Sequence, residues 1–367
     1  MMRDKPPFRA DMVGSLLRSA ALKEARKRFE DKAITAADLA AIEDAEIKTL
    51  IKKQEAVGLR AVTDGEYRRS FWHFDFLENL DGVEGYWMEQ GIAFKGVATK
   101  PRGVRVTGKI GFPATHPHLA HFKFLAANTS RVPKMTIPSP SMLHYRGGRA
   151  AVDPNVYPDM DGYYRDLGNA YAAAVRAFYD AGCRYLQLDD TSLAYFCDPE
   201  QREMLKARGD DVDALIQRYR QMINTATKDR PKDMTITTHT CRGNFRSTFI
   251  ASGGYEPVAN LVFNEIDVDA YFMEWDDERS GGFEPLRLLP KNKIVVLGLV
   301  TTKTGSLETA DEIKRRIEAA SRYVPLDQLC LSPQCGFAST EEGNVLSEDE
   351  QWAKLGFIVK VAGEVWG

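Results

Sequence analysis

The stretch Met234-Thr235-Ile236-Thr237-Thr238-His239-Thr240-Cys241 is a β-branched run that ends in reactive side chains. Such a run predicts a buried strand. Residues two apart on a strand point to the same side, so His239 and Cys241 can ligate one ion. A thiolate with an imidazole suits zinc. For this pair alone, a core histidine beside a buried thiol is the other interpretation.

Seven further short apolar runs end in a polar or turn residue in the same manner. They span residues 8–13, 59–63, 134–137, 184–188, 270–273, 294–300 and 329–331. Helical patterns separate them, for example over residues 19–30 and 35–57, the second with Thr35 as its N-cap candidate. This alternation predicts an α/β fold, a (β/α)8 TIM barrel. An open doubly wound sheet is the alternative, but no Gly-x-Gly-x-x-Gly follows the first run.

Residues 82–111 interrupt this rhythm. Alternating residues in Gly91-Ile92-Ala93-Phe94 and Val104-Arg105-Val106-Thr107, separated by Pro101-Arg102-Gly103, predict a β-hairpin insertion. A lid or an oligomer contact would be a reasonable role for it. We find no repeat or linker in the sequence, so we expect a single domain over residues 1–367.

The charge balance and the lack of long apolar runs restrict the partners. The 367 residues include 49 basic and 52 acidic side chains, a net charge of -3, which argues against nucleic acid as a partner. The start, Met1-Met2-Arg3-Asp4, lacks the apolar core of a secretory signal, and no apolar run approaches the ~20 residues of a membrane span. We therefore expect a cytoplasmic protein without a membrane partner.

The cysteines do not follow the pattern of a disulfide framework, because there are five and they are scattered along the chain. We expect reduced thiols. Cys183 and Cys330 lie in apolar strand contexts and are expected to be small buried core residues.

Two more candidate ligands follow later strands. Glu274 ends the run at residues 270–273, and Cys335 stands in the turn Ser332-Pro333-Gln334-Cys335-Gly336. The carboxyl ends of barrel strands converge on one mouth, so both can join the first pair around Zn2+. Taken alone, Glu274 could equally be a solvated loop charge. Four ligands close a tetrahedron, whereas catalysis needs an open position, so we expect the carboxylate to give way when a substrate thiol enters.

These dispersed motifs resemble those of cobalamin-independent methionine synthase, in its C-terminal catalytic barrel and more closely in the short one-domain methionine-synthase-like proteins of bacteria. The resemblance extends over essentially the whole chain. It implies a zinc-dependent 5-methyltetrahydropteroyltriglutamate-homocysteine S-methyltransferase. The zinc ligands that it implies are His239, Cys241, Glu274 and Cys335.

The same resemblance implies a homocysteine clamp. Gly14 and Ser15 correspond to the turn that binds the carboxylate, and Glu66 and Asp189 to the two acids that bind the amino group. A zwitterion needs donors at one end and carboxylates at the other, so the assignment is chemically sound. Lys303 occupies the place of the family's proton-donating histidine. Lys303 and Asp189 are therefore the candidate catalytic residues.

The segment at residues 66–76 is dense in arginine and aromatic side chains. It predicts either a packed loop or a wall of the methyl-donor pocket, in which Trp72 stacks and Arg68 or Arg69 meets an anionic group. A second histidine-rich stretch, His116-Pro117-His118-Leu119-Ala120-His121, predicts a solvated loop.

The expected function is methyl transfer to a small thiol, most simply homocysteine, to give methionine. Zinc would lower the pKa of the thiol, and the thiolate would attack the methyl group in line. The donor stays open between methyltetrahydrofolate, a methylated corrinoid such as methylcobalamin or a corrinoid protein, and a methylsulfonium compound. Two alternatives are a zinc-thiolate alkyl transferase acting on another electrophile, such as an epoxide, and a non-catalytic zinc-binding barrel.

Overall fold

The computed structural model describes residues 1–94 and 97–367. The strands are β1 (Ala61–Val62), β2 (Asp81–Trp87), β3 (Ala93–Phe94), β4 (Val97–Ala98), β5 (Arg102–Gly111), β6 (Val132–Pro133), β7 (Met135–Pro138), β8 (Tyr185–Asp190), β9 (Thr235–Thr240), β10 (Ala270–Glu274), β11 (Ile294–Val300) and β12 (Leu329–Pro333). The α-helices are α1 (Ala20–Glu30), α2 (Ala36–Ala56), α3 (Phe74–Leu77), α4 (Pro117–Asn128), α5 (Met142–Tyr145), α6 (Met160–Asp180), α7 (Ser192–Tyr195), α8 (Pro199–Ala207), α9 (Val212–Thr227), α10 (Ala310–Ser321) and α11 (Glu348–Trp366). Short 3-10 turns span Gly148–Ala151, Glu278–Ser280, Glu284–Leu288 and Leu326–Gln328, and a π-helical turn spans Leu261–Glu265.

The barrel strands are parallel and lie side by side in sequence order. One sheet has the order β12-β11-β10-β9-β8-β7, and β1 pairs with β6, which leads into β7 through Lys134. The first predicted run joins through a parallel bridge from Ala10 to Leu331 of β12. Beyond it, the N–H of Leu16 donates to the carbonyl of Gly65 at 3.1 Å, next to β1. These bonds close the circle, and the predicted (β/α)8 barrel is confirmed.

Burial on both faces explains why the strands read as apolar runs. All residues of β8 and β10 are buried, as expected of parallel strands between a filled barrel and a layer of helices. The interior also holds an ion pair, in which Lys134 Nζ lies 3.4 Å from Asp11 Oδ1 and both side chains are 0% exposed. The hydroxyl of Tyr185 donates to the other Asp11 oxygen at 2.9 Å. This pair lies at the amino ends of β7 and β8, away from their carboxyl ends.

The insertion predicted at residues 82–111 is confirmed as a β-hairpin. Its long arms are β2 and β5, which pair antiparallel with Trp87 opposite Arg102 and Val83 opposite Val106. Lys95 and Gly96 of the predicted insertion lie outside the described residues.

The predicted arms of the hairpin were wrong. Residues 91–94 do not pair with residues 104–107, because Ala93 and Phe94 form β3 and pair with β4. The expected turn at residues 101–103 lies mostly within β5. The burial alternation of β5 extends to Ile110, so this strand requires a longer partner than four residues, and β2 provides one.

Local capping signals account for the helix starts. Thr35 and Asp38 form a reciprocal capping box at the start of α2, as the sequence predicts. The predicted solvated loop around His116 was wrong. His116 is 1% exposed and caps α4 by accepting the N–H of His118, while Pro117 occupies the first helical turn.

Two other expectations concern burial. Cys183 and Cys330 are both 0% exposed, which confirms them as core residues. Among the described helices, none combines the length and apolar character needed to cross a bilayer.

Candidate active site

Four side chains with metal-binding atoms meet at the carboxyl ends of the barrel strands. They are His239 in β9, Cys241 just after it, Glu274 at the end of β10 and Cys335 after β12. All four are buried, and their ligand atoms lie within 4.8 Å of one another. Cys335 Sγ is 3.4 Å from Cys241 Sγ and 3.5 Å from His239 Nε2. The convergence predicted from the strand ends therefore holds for the whole set.

This donor set fits a zinc ion. At a Zn–S distance of about 2.3 Å, two sulfurs on one tetrahedral ion lie roughly 3.8 Å apart, close to the separation of the two cysteines. Within the described chain, Oε2 of Glu274 is buried without a hydrogen-bond partner. A carboxylate oxygen in that state is costly, and a cation bound by the group would satisfy it.

Backbone groups orient two of these ligands. Nδ1 of His239 lies 3.3 Å from the carbonyl oxygen of Phe272, which leaves Nε2 facing the sulfurs. The N–H of Arg242 donates to Oε1 of Glu274 at 3.0 Å. Outer contacts of this kind fix the ring orientation and the position of the carboxylate.

The two cysteines differ in acidity because they share a hydrogen bond. The hydrogen bond from Cys241 lowers the pKa of Cys335 to about 6, while the same bond and burial raise the pKa of Cys241. Burial opposes the charging of His239, but the hydrogen bond and negative charge of Cys335, with Asp189 and Glu274, raise its pKa to about 9. At neutral pH the metal-free group therefore holds one thiolate beside an imidazolium.

Lys303 lies close to this group, but the predicted role in proton donation gains no geometric support. Its Nζ donates to Oε1 of Gln334 at 3.0 Å, and Lys303 is not among the residues that line the adjoining cavity. Burial opposes the ionisation of Glu274, but the charges of Lys303 and Arg279 lower its pKa overall. Lys303 therefore acts on the group through its charge.

An open cavity adjoins the group, with an empty volume of about 670 Å³ that includes open solvent. Four predicted substrate residues line it together with three of the ligands: Ser15, Glu66, Trp72, Asp189, His239, Cys241 and Cys335. The fourth ligand, Glu274, is not among the residues that line it. Ile92, Phe94 and Thr99 of the hairpin insertion also contribute to the wall, so the insertion extends over the barrel mouth.

The two acids of the predicted clamp face this cavity. Asp189 is 7% exposed and accepts a hydrogen bond from Gln187 on Oδ1 at 2.7 Å. Burial raises its pKa, although the nearby charge of His239 works against this. Glu66 accepts from Thr136 and pairs with Arg69, and its backbone has a left-handed φ of 60°. Asp189 therefore already has one side-chain partner, and Glu66 has two.

The predicted carboxylate-binding turn lies against the turn that carries Cys335. Oγ of Ser15 accepts the N–H of Ala338 at 3.2 Å. A Cβ on Gly336 would lie 1.9 Å from that Oγ, and a Cβ on Gly14 would lie 2.8 Å from Oε1 of Glu66. Both glycines are therefore required for the close approach of these segments.

Arg68 is not brought to the cavity, whereas Arg69 is. Arg68 pairs with Glu43, at 3.4 Å, and with Asp44, both on α2. Its guanidinium thus faces the helix layer and not the predicted donor pocket.

Sequence reasoning missed several polar side chains of the cavity wall, among them His73, Arg146 and Tyr195. His73 is 2% exposed, and neither ring nitrogen has a hydrogen-bond partner in the described chain. His73 lies in the aromatic segment at residues 66–76, whose composition predicts a pocket wall as one interpretation, so His73 could have been identified from the sequence. Arg146 follows the short helix α5 and donates to the hydroxyl of Tyr195 at 3.2 Å, and nothing in the sequence around it distinguishes it.

Fold and site together define a (β/α)8 barrel with a candidate metal group at the mouth. The family model described as "Cobalamin-independent synthase, Catalytic domain" matches residues 145–364. The chain belongs to this family, the cobalamin-independent methionine synthase family, as the sequence motifs indicated. Membership makes it a methionine-synthase-like protein of a methyltransferase family.

Individual relatives agree with this placement. The Bacillus subtilis protein YxjG is 53% identical, over 100% of this chain and 97% of its own length. A Listeria monocytogenes crystal structure, described as a "Putative Vitamin-B12 Independent Methionine Synthase", is 44% identical, covers 100% of both chains and has a TM-score of 0.81. The Bacillus velezensis 5-methyltetrahydropteroyltriglutamate–homocysteine methyltransferase is 24% identical over 90% of this chain and 40% of its own length. These relatives give no support for the corrinoid partner considered above.

Proposed function

We propose that this chain is a zinc-dependent S-methyltransferase that converts homocysteine to methionine. One observation carries the proposal: a buried His-Cys-Glu-Cys group lies in the wall of the same cavity that Ser15, Glu66 and Asp189 line. A metal group alone would fit many barrels, but the adjoining acids select an amino-acid thiol. The names of the relatives point to the same acceptor.

The ligands would be His239, Cys241, Glu274 and Cys335. Zinc bound there supplies Lewis acidity that lowers the pKa of a thiol in contact with it, so that a thiolate is present at neutral pH. The pKa of Cys335, lowered to about 6, indicates that the protein surroundings already favour one sulfur anion.

The clamp would orient the acceptor. Asp189 lies directly opposite His239 in the register of β8 and β9, so an ammonium bound by Asp189 and Glu66 is held next to the metal group. Ser15 and the turn around Gly336 would bind the carboxylate. Holding both ends of the amino acid would restrict the position of its thiol. The binding energy would then offset, before the reaction, much of the entropy lost on reaching the transition state.

Other residues of the cavity wall would receive the methyl donor. They are the aromatic rings of Trp72 and Phe94, the imidazole of His73, which has no hydrogen-bond partner among the described residues, and the guanidinium of Arg146. A methylfolate of the kind named for the Bacillus velezensis relative is the first donor to test, since aromatic and polar groups together suit a flat, anionic molecule.

The test is a donor screen with the zinc-loaded protein. Homocysteine would be mixed with methyltetrahydrofolate, methylcobalamin or a methylsulfonium compound, and methionine measured by mass spectrometry. Methionine formed with one donor supports the proposal and identifies that donor. Zinc binding without product from any donor would refute methyl transfer and favour the non-catalytic barrel. An adduct formed only with an epoxide would favour the other alternative.

A further inference from the structure

Arg279 lies beside the carboxylate of Glu274 and is not among the residues that line the cavity. It belongs to the 3-10 turn Glu278–Ser280 that follows β10, and its side chain is 8% exposed. Its Nη2 lies 3.0 Å from Asp276 Oδ1 and 3.5 Å from Glu274 Oε2. The guanidinium also packs over the ring of Phe249, 4.4 Å from its centroid. These contacts hold a cation beside the one carboxylate of the ligand group.

Arg279 and Glu274 each have a side-chain atom that could form a further hydrogen bond. Among the described residues, Nε of Arg279 and Oε2 of Glu274 are both buried without a hydrogen-bond partner. The 3.5 Å separation permits an ion pair but is long for a hydrogen bond. Nε and Nη2 form one edge of the guanidinium, and that edge matches the two oxygens of a carboxylate. A small shift of Glu274 towards Arg279 would complete such a pair.

The position of the cavity indicates why the Glu274 carboxylate would move towards Arg279. Three ligands line the cavity and Glu274 does not, so a thiol that enters from the cavity would meet those three ligands before the carboxylate. Four protein ligands already complete a tetrahedral set, so an entering thiol requires one of them to leave. If Glu274 left the metal, its carboxylate would lie next to the positively charged guanidinium of Arg279.

We propose that Arg279 is a positioning residue that receives the Glu274 carboxylate when a substrate thiol takes its place at the metal. This inference rests on the proposed function. With zinc held by His239, Cys241 and Cys335, a substrate thiolate would replace the Glu274 carboxylate as the fourth ligand, and the thiol proton would pass to solvent. The carboxylate stays ionised and gains hydrogen bonds from Nε and Nη2 of Arg279, which offsets the loss of its metal contact.

The experiment uses the full-length protein loaded with cobalt(II), whose visible spectrum reports the number of thiolate ligands. Homocysteine is titrated into the wild type, Arg279→Met and Arg279→Lys. Arg316→Met is a matched control, because Arg316 bonds the carbonyl oxygens of Trp275 and Asp276 in the same loop. We expect Arg279→Met to raise the half-saturating homocysteine concentration by about tenfold or more, as expected for lost charge-assisted hydrogen bonds. Metal content should be unchanged.

Arg279→Lys should recover part of that loss, since it restores the charge without the two-nitrogen edge of the guanidinium. If Arg279→Met does not fold, the half-saturating homocysteine concentration of Arg279→Lys is compared with that of the wild type. Arg316→Met should titrate like the wild type. The inference is overturned if Arg279→Met titrates like the wild type, or if Arg316→Met shifts by the same amount. A wild-type spectrum that homocysteine leaves unchanged would instead defeat thiol binding, and with it both the proposed function and this exchange.

Discussion

Asp189→Asn is the sharpest test of the amino-acid clamp. The substitution preserves the shape of a side chain that is only 7% exposed. The asparagine carbonyl can still accept the hydrogen bond that Gln187 gives to Oδ1 at 2.7 Å. Its amide nitrogen then faces the position proposed for the substrate ammonium, where it offers a donor in place of a negative charge.

The expected loss follows from the burial of that contact. Removing one partner of a buried, hydrogen-bonded charge pair costs at least about 2 kcal/mol. Since Glu66 shares the ammonium, we take about 2–3 kcal/mol, which corresponds to roughly 30- to 150-fold weaker homocysteine binding.

The assay is calorimetric titration of the zinc-loaded protein with homocysteine and with 4-mercaptobutanoate, the same thiol acid without the amino group. Asp189→Asn should weaken homocysteine binding by the stated factor and leave 4-mercaptobutanoate unaffected. Zinc content, measured in parallel, should match that of the wild type. Equal losses for both thiols, or no loss for either, would refute the assignment of Asp189 to the ammonium.

Three further predictions concern the metal group and the barrel interior. Cys241→Ser or Cys335→Ser should remove metal and activity together, and elemental analysis showing full zinc in an inactive variant would contradict the ligand assignment. Zinc must displace the protons of His239, whose pKa is raised to about 9, and of Cys241, whose pKa is also raised, in the metal-free protein, so zinc affinity should fall as the pH decreases; a chelator competition titration that gives the same affinity at every pH would contradict the assignment of these two residues as ligands. Lys134→Ala should destabilise the fold by about 3–5 kcal/mol in urea denaturation, because Asp11 would be left as an unpaired buried charge, and a loss below about 1 kcal/mol would show that this pair is not essential.

The barrel was predictable because its signals are local. Each strand is a short β-branched or apolar run, and the polar residue at its end marks the mouth, which is why His239 and Glu274 could be placed from the sequence. The pairing of the hairpin arms could not be predicted from local sequence. Both β2 and β3 are short extended segments that precede β5, and which of them pairs with β5 depends on tertiary packing. The burial of His116 likewise depends on rings from distant segments, among them Phe76, 4.5 Å away.

The site was predictable where a residue is tied to a strand end and not where it lies on a long loop. Arg68 and Arg69 are neighbours after the left-handed turn at Glu66, and their directions follow from that turn and not from residue type. Arg146 follows the short helix α5, so no spacing in the sequence links it to the ligands. Arg279 comes soon after Glu274, but its direction depends on the 3-10 turn Glu278–Ser280 and not on a strand end.

The join between the first and last runs of the barrel affects how the metal could be acquired. Cys335 lies 94 positions beyond Cys241 along the chain, and its turn rests on the segment at Ser15. While the ribosome is still making the chain, the emerging polypeptide can present at most three of the four ligands. The complete four-ligand group can therefore form only after the final strand has been made and has joined the first run.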